Sequence, residues 1–199
     1  PLDMSPEKIR GPKEGDPNGE IAEPSPNEIV GKAHLMVDLE SRHVGLKEMK
    51  SGDVGHTWVS LEYNDPLKVP STVPGQHREF LRNGGKYADS MGFWPDLEGL
   101  HTENGEGVGY ASNYLKSYVQ GHMRNPDEAH QGMEKATMSY PVTHNQMLKA
   151  IRYADSKAAA KYSVYHFNCT TFARDFVKAA GHSAPNMATA GICLPDKAY

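Results

Sequence analysis

The chain has 199 residues, 38% of them hydrophobic and 23% charged, and a formal net charge of −4. That length holds one domain with a sizeable core. The acidic balance, with no long Lys/Arg cluster, argues against a nucleic-acid surface, and no apolar run approaches the roughly 18 residues of a membrane helix.

Residues 1–28 carry six prolines, seven acidic residues and three basic ones. Such a stretch buries too little apolar surface to offset its ordering entropy, so it reads as a flexible Pro-rich acidic tail or linker, with a single domain over 29–199. The start of the chain lacks the basic-then-apolar pattern of a signal peptide, and no export signal of that kind is expected.

The first strand is expected over Ile29–Val30 and Ala33–Leu39, and the second over Thr57–Tyr63, where Trp58, Ser60 and Glu62 alternate with Val59, Leu61 and Tyr63. Residues 64–86, rich in Pro, Gly and Asn, read as a long connection. Tyr87–Trp94 reads as a third strand stopped by Pro95. Residues 96–132 read as a Gly-, Asn- and His-containing insertion with a short helix or extended piece near Tyr110–Val119, long enough to form a substrate-binding wall or lid.

Lys135–Tyr140 alternates like a strand. Thr143 and Gln146 then have capping-box spacing and open a helix through about Ala159. Tyr162–Phe167 is expected to be extended, and a last helix to run from Cys169 to Ala180, stopped by Gly181. Strands in the middle and helices at the end predict an α+β class, with a mainly antiparallel sheet packed by the final helices.

The two cysteines, Cys169 and Cys193, make neither a disulfide framework nor a Cys-rich zinc site, although one bridge between them stays open. At about 100° per residue, Cys169, Phe172, Ala173, Phe176, Val177 and Ala180 share an apolar arc that leaves out Thr170, Thr171, Arg174, Asp175 and Lys178. Cys169 is therefore either a small buried hydrophobe or a thiol aimed at the sheet.

Asn168 stands at the N-cap, and the helix N-terminus favours a thiolate and offers the Cys169 amide as an oxyanion donor. His56 opens a strand and so lies at a sheet end, within reach of a helix packed on that sheet. The other histidines, His34, His43, His77, His101, His122, His130, His144, His166 and His182, lack metal-ligand spacing, and most of them are expected on the polar surface, with His166 near the cleft. Gly105–Gly109 reads as a loop rather than a phosphate cradle, and Trp58, Phe93 and Trp94 as core or cleft wall. No metal and no cofactor are expected.

Gly55-His56-Thr57-Trp58-Val59-Ser60-Leu61 and Asn168-Cys169-Thr170-Thr171-Phe172-Ala173, in that order, resemble the circularly permuted NlpC/P60-like branch of the papain-fold cysteine hydrolases, with Gly92-Phe93-Trp94-Pro95 similar to a further shared strand. The resemblance implies a papain-like fold over about residues 30–195, Cys169 as nucleophile and His56 as general base. Family members add a third polar residue that orients the histidine. Antiparallel pairing of 57–63 with 87–94 points to Asp96 for that place, ahead of Ser90, and a Cys169–His56 dyad is the alternative.

The resemblance also implies hydrolysis of an amide bond, with bacterial peptidoglycan peptide as the favoured substrate. By analogy with signal-less members, the chain would be an antibacterial effector made in a bacterial cytoplasm. It would be delivered by a secretion machine such as type VI to a target periplasm, with a loading partner and a cognate immunity protein. Acyl transfer, deamidation or thioester cleavage on a lipid or host protein is the second enzymatic expectation, and a non-catalytic binding module on the same scaffold is the third.

Overall fold

The computed structural model describes residues 21–39, 55–96, 118–189 and 192–193. Within them the strands β1 (Ile29–Asp38), β2 (His56–Tyr63), β3 (Asp89–Pro95), β4 (Val119–Arg124), β5 (Ala136–Thr143) and β6 (Lys161–Tyr162) form one sheet in the order β5-β1-β2-β3-β4-β6. Every pairing is antiparallel. Three helices, α1 (Gly75–Asn83), α2 (His144–Lys157) and α3 (Cys169–Ala179), complete the α+β fold. A short hairpin of β7 (Ala188–Thr189) and β8 (Ile192–Cys193) follows. None of the described helices is long and apolar enough to cross a membrane.

Alternation along the strands divides the sheet into two faces. Ala33, Leu35 and Val37 of β1, Val59 and Leu61 of β2 and Met91 and Phe93 of β3 point to the helices. There they join Leu81 of α1, Met147, Ala150 and Ile151 of α2, and Phe172, Phe176 and Val177 of α3 in one buried cluster. The opposite face carries His34, Met36, His56, Trp58 and Ser60, all buried as well. The segment between β4 and β5 packs over this second face, so β2 is covered on both sides.

Local chemistry explains most element ends. Thr143 Oγ1 accepts from the Gln146 amide while Gln146 Oε1 accepts from the Thr143 amide, the expected capping box. The end of α3 is closed by bonds from Gly181 N to the Lys178 carbonyl and from His182 N to the Val177 carbonyl, with Gly181 at φ 82°. At the other end of α3, Asn168 Oδ1 accepts from Thr171 N.

Several sequence expectations are corrected. The 64–86 connection contains α1, begun after Pro74 and ended by Gly84 at φ 74°. Only His77 and Leu81 of α1 are buried, too few apolar positions to reveal a helical period. Residues 162–167 do not stay extended. After β6 the chain turns so that Ser163 pairs with Phe167, which sets the Phe167 ring edge-on to Phe93 at 5.1 Å. Residues 119–124 of the proposed insertion belong to the sheet as β4. The helix or extended piece near Tyr110, the wall or lid it would form and the Gly105–Gly109 loop fall outside the described residues. Residues 21–28 contain no helix or strand, and Glu23 accepts a hydrogen bond from Thr72 Oγ1 at 2.9 Å.

Candidate active site

Cys169 begins α3, and α3 packs across β2 so that its first turn meets the opening residues of that strand. Thr170 Oγ1 lies 3.0 Å from Thr57 Oγ1, tying the two ends together. The first turn is buried all round: Thr170 and Thr171, expected off the apolar arc, are 0% and 7% exposed. They tolerate this because Thr170 is paired with Thr57, and both the amide and the hydroxyl of Thr171 reach Asn168 Oδ1. Cys169 is a free thiol, 4% exposed.

The thiol stands next to the ring of His56, which lowers its pKa. His56 is equally buried, and its Nε2 lies 2.8 Å from Asp127 Oδ2. With Nε2 engaged by the carboxylate, Nδ1 is the nitrogen left for the thiol. Cys169, His56 and Asp127 thus stand in a line, its His56–Asp127 link a 2.8 Å hydrogen bond. Asp127 Oδ2 also accepts from the indole Nε1 of Trp94 at 3.0 Å, and the Asp127 amide donates to Ser90 Oγ at 3.0 Å.

This geometry sets the protonation states. Burial alone would raise the Cys169 thiol, but the His56 bond and charge, the Thr57 backbone amide and Thr170 together bring it below the ordinary thiol value. Burial likewise pulls His56 down, and the bonds to Asp127 and Cys169 overcome it and raise the imidazole to about 9. Asp127 is held below the usual carboxylate range by His56 and Trp94, against the upward push of its burial. The arrangement therefore shifts the pair toward thiolate and imidazolium.

Aromatic rings hold His56 in place. Its centroid is 4.2 Å from Trp94, 5.0 Å from His130 and 5.7 Å from Trp58, with which it is nearly parallel at 7°. The Arg124 guanidinium lies over Trp94, 4.2 Å from the ring centroid. Gly92 leaves room for this packing, since a Cβ there would stand 1.6 Å from Asp127 Oδ2 and 2.8 Å from His56 Nε2.

Of the residues singled out from sequence, Cys169 and His56 are brought together, and the carboxylate bonded to His56 Nε2 is Asp127 where Asp96 was expected. The β2–β3 register, Val59↔Met91 carried three residues further, sets Trp94 across from His56. Asp96 lies beyond that point, past the end of β3, where its amide donates to the Gln120 carbonyl. The carboxylate on His56 is Asp127, from the connection after β4. Ser90 supports that connection rather than the histidine.

Asp127 lies within the stretch taken for an insertion, where no periodicity marks it. One sequence signal did exist: a glycine inside a strand marks close approach by another group, and Gly92 is where Asp127 enters. The expectation of surface histidines is corrected too. His34, His77 and His144 are buried against Glu62, Asp89 with Asp155, and Glu23, while His130 packs on His56. His166 is exposed and stacks on Tyr118 at 5.6 Å, and His43 and His101 fall outside the described residues. Trp58 and Phe93 are fully buried, and Trp94 borders the site.

No known protein family matches the chain, and neither does any curated protein or any solved structure.

Proposed function

We propose that the protein is a cysteine hydrolase of papain-like type that cleaves an amide bond, with Cys169 as nucleophile, His56 as general base and acid, and Asp127 as the residue that orients His56. The observation that carries this reading is the buried line from the Cys169 thiol through His56 to Asp127, closed by the 2.8 Å contact at Nε2.

In the proposed reaction the thiolate attacks the carbonyl carbon of the scissile amide and forms a C–S bond. The developing oxyanion accepts from the Cys169 backbone amide, one of the first-turn N–H groups that α3 cannot satisfy internally. His56 then gives its Nδ1 proton to the amine as the C–N bond breaks, leaving a thioester. Next the neutral imidazole takes a proton from water, the hydroxide adds to the thioester, and the thiolate leaves. Asp127 holds Nε2–H throughout, so Nδ1 always faces the sulfur.

The substrate class proposed is bacterial peptidoglycan peptide, on the strength of the two-segment resemblance, and with it a role as an effector acting in a target periplasm. Purified protein incubated with peptidoglycan should release fragments bearing new amino termini, and Cys169→Ala should release none. Identical fragment profiles from wild type and Cys169→Ala would end the hydrolase reading. A wild type that leaves peptidoglycan intact but deacylates thioester or lipid substrates would move the activity to the acyl-transfer class.

A further inference from the structure

A second histidine–carboxylate pair stands beside the first. Asp38, the last residue of β1, is paired with His56 in the β1–β2 register, and its Oδ2 lies 2.9 Å from His130 Nδ1. Both side chains are largely enclosed, at 7% and 16% exposure. We infer that Asp38 and His130 are positioning residues, a tie that fixes Asp127 and the His56 ring in line with the Cys169 thiol. This role rests on the reading of Cys169 as a nucleophile.

Topology is the main argument. His130 lies three residues after Asp127 on the segment that joins β4 to β5 across the outer face of the sheet. That segment is fastened on one side to β3, where Ser90 Oγ accepts from the Asp127 amide and from Gln131 Nε2. On the other side it is fastened to β1, through His130 to Asp38 and through Lys135 N to the Val37 carbonyl. Strand β2, which carries His56, runs between β1 and β3. The segment therefore bridges β2 at His56, with Asp127 on one side of the imidazole and His130 on the other.

Ring packing gives the tie its leverage. His130 lies 5.0 Å from His56, 5.6 Å from Trp94 at 20°, and 5.8 Å from Trp58. Three rings thus pack on the imidazole; Trp94 is tied to Asp127, and His130 is tied to Asp38 on β1. Without the Asp38 bond the bridge keeps its β3 anchor and loses its side-chain anchor on β1, and small displacements at a proton-transfer pair cost large factors in rate.

The test is the pH dependence of Cys169 alkylation by iodoacetamide, resolved by peptide mass spectrometry, in wild type, His130→Phe, Asp38→Ala and Asp38→Asn. His130→Phe keeps an aromatic ring on Trp94 and removes the bond, and Asp38→Ala removes the same bond from its other end, so either variant that folds decides the matter. In both, the acid limb should move up by about one pH unit, and alkylation at pH 6 should fall about tenfold. Asp38→Asn, which retains an acceptor oxygen, should recover most of the wild-type profile.

A low wild-type limb that neither His130→Phe nor Asp38→Ala moves overturns the positioning role and leaves the nucleophile standing. A wild-type limb near the ordinary thiol value of about 8.5 overturns the nucleophile itself, and the positioning role with it.

Discussion

His56 and His77 each sit on a buried carboxylate, with Nε2 at 2.8 Å from Asp127 in one case and Nδ1 at 2.9 Å from Asp89 in the other. Burial pulls both imidazoles down, and the carboxylates raise both to about 9. What differs is the second nitrogen. That of His56 faces a thiol on the first turn of a helix. That of His77 meets Asp155 at 3.0 Å, so the ring ties α1 to β3 and to α2 beside a cavity of about 520 Å³.

A third cluster sharpens the contrast. His34 lies 2.8 Å from Ser139 Oγ and 2.8 Å from Glu62 Oε2, a serine–histidine–carboxylate line by distance alone. Ser139 is in mid-strand, however, where successive backbone amides point to opposite sides instead of converging on one oxyanion. A histidine held by a carboxylate is common structural cement in this fold. It becomes a candidate for catalysis where a nucleophile and a helix N-terminus meet its free nitrogen.

Substitution separates the two histidines most widely. His56→Gln should lower kcat/KM for the amide substrate by about 10³-fold or more, whereas His77→Gln should leave kcat/KM nearly unchanged and lower Tm. A comparable rate loss in both variants would mean that His77 belongs to the chemistry. Next in size is the pair of carboxylates. Asp127→Asn should cost about 10²–10⁴-fold in kcat, because the amide no longer holds Nε2–H as the carboxylate does, and Asp96→Asn should cost little. The reverse order would restore Asp96 as the orienting residue.

The smallest effect is on stability. His77 rises from 6.5 to about 9 on folding, so its contribution is complete below pH 6.5 and is lost as pH rises through 9. Chemical denaturation across that window should show the wild type losing up to about 3 kcal/mol more than His77→Gln. Parallel curves would mean that the Asp89–His77–Asp155 staple holds no charge of consequence.

Legibility followed periodicity and caps. Strands β1, β2, β3 and β5 alternate over many residues, and α2 and α3 announce themselves by Thr143 with Gln146 and by Asn168 with Gly181. Helix α1 was hidden because a nine-residue segment with two buried side chains carries almost no pattern. The burial of His34, His77 and His144 was hidden because each depends on a carboxylate at least 12 residues away, a partner that spacing alone cannot select.

The chain's own pattern determined that His56 opens a strand and that Cys169 opens a capped helix, because both follow from near-neighbour chemistry. Which carboxylate turns the histidine was decided by the tertiary structure. Asp127 reaches His56 because the β4–β5 segment crosses β2 between anchors on β3 and β1, and because Gly92 has no side chain to keep it out. Sequence separation hides such a meeting: the two partners are 71 positions apart, and only the register of the sheet closes the gap to 2.8 Å.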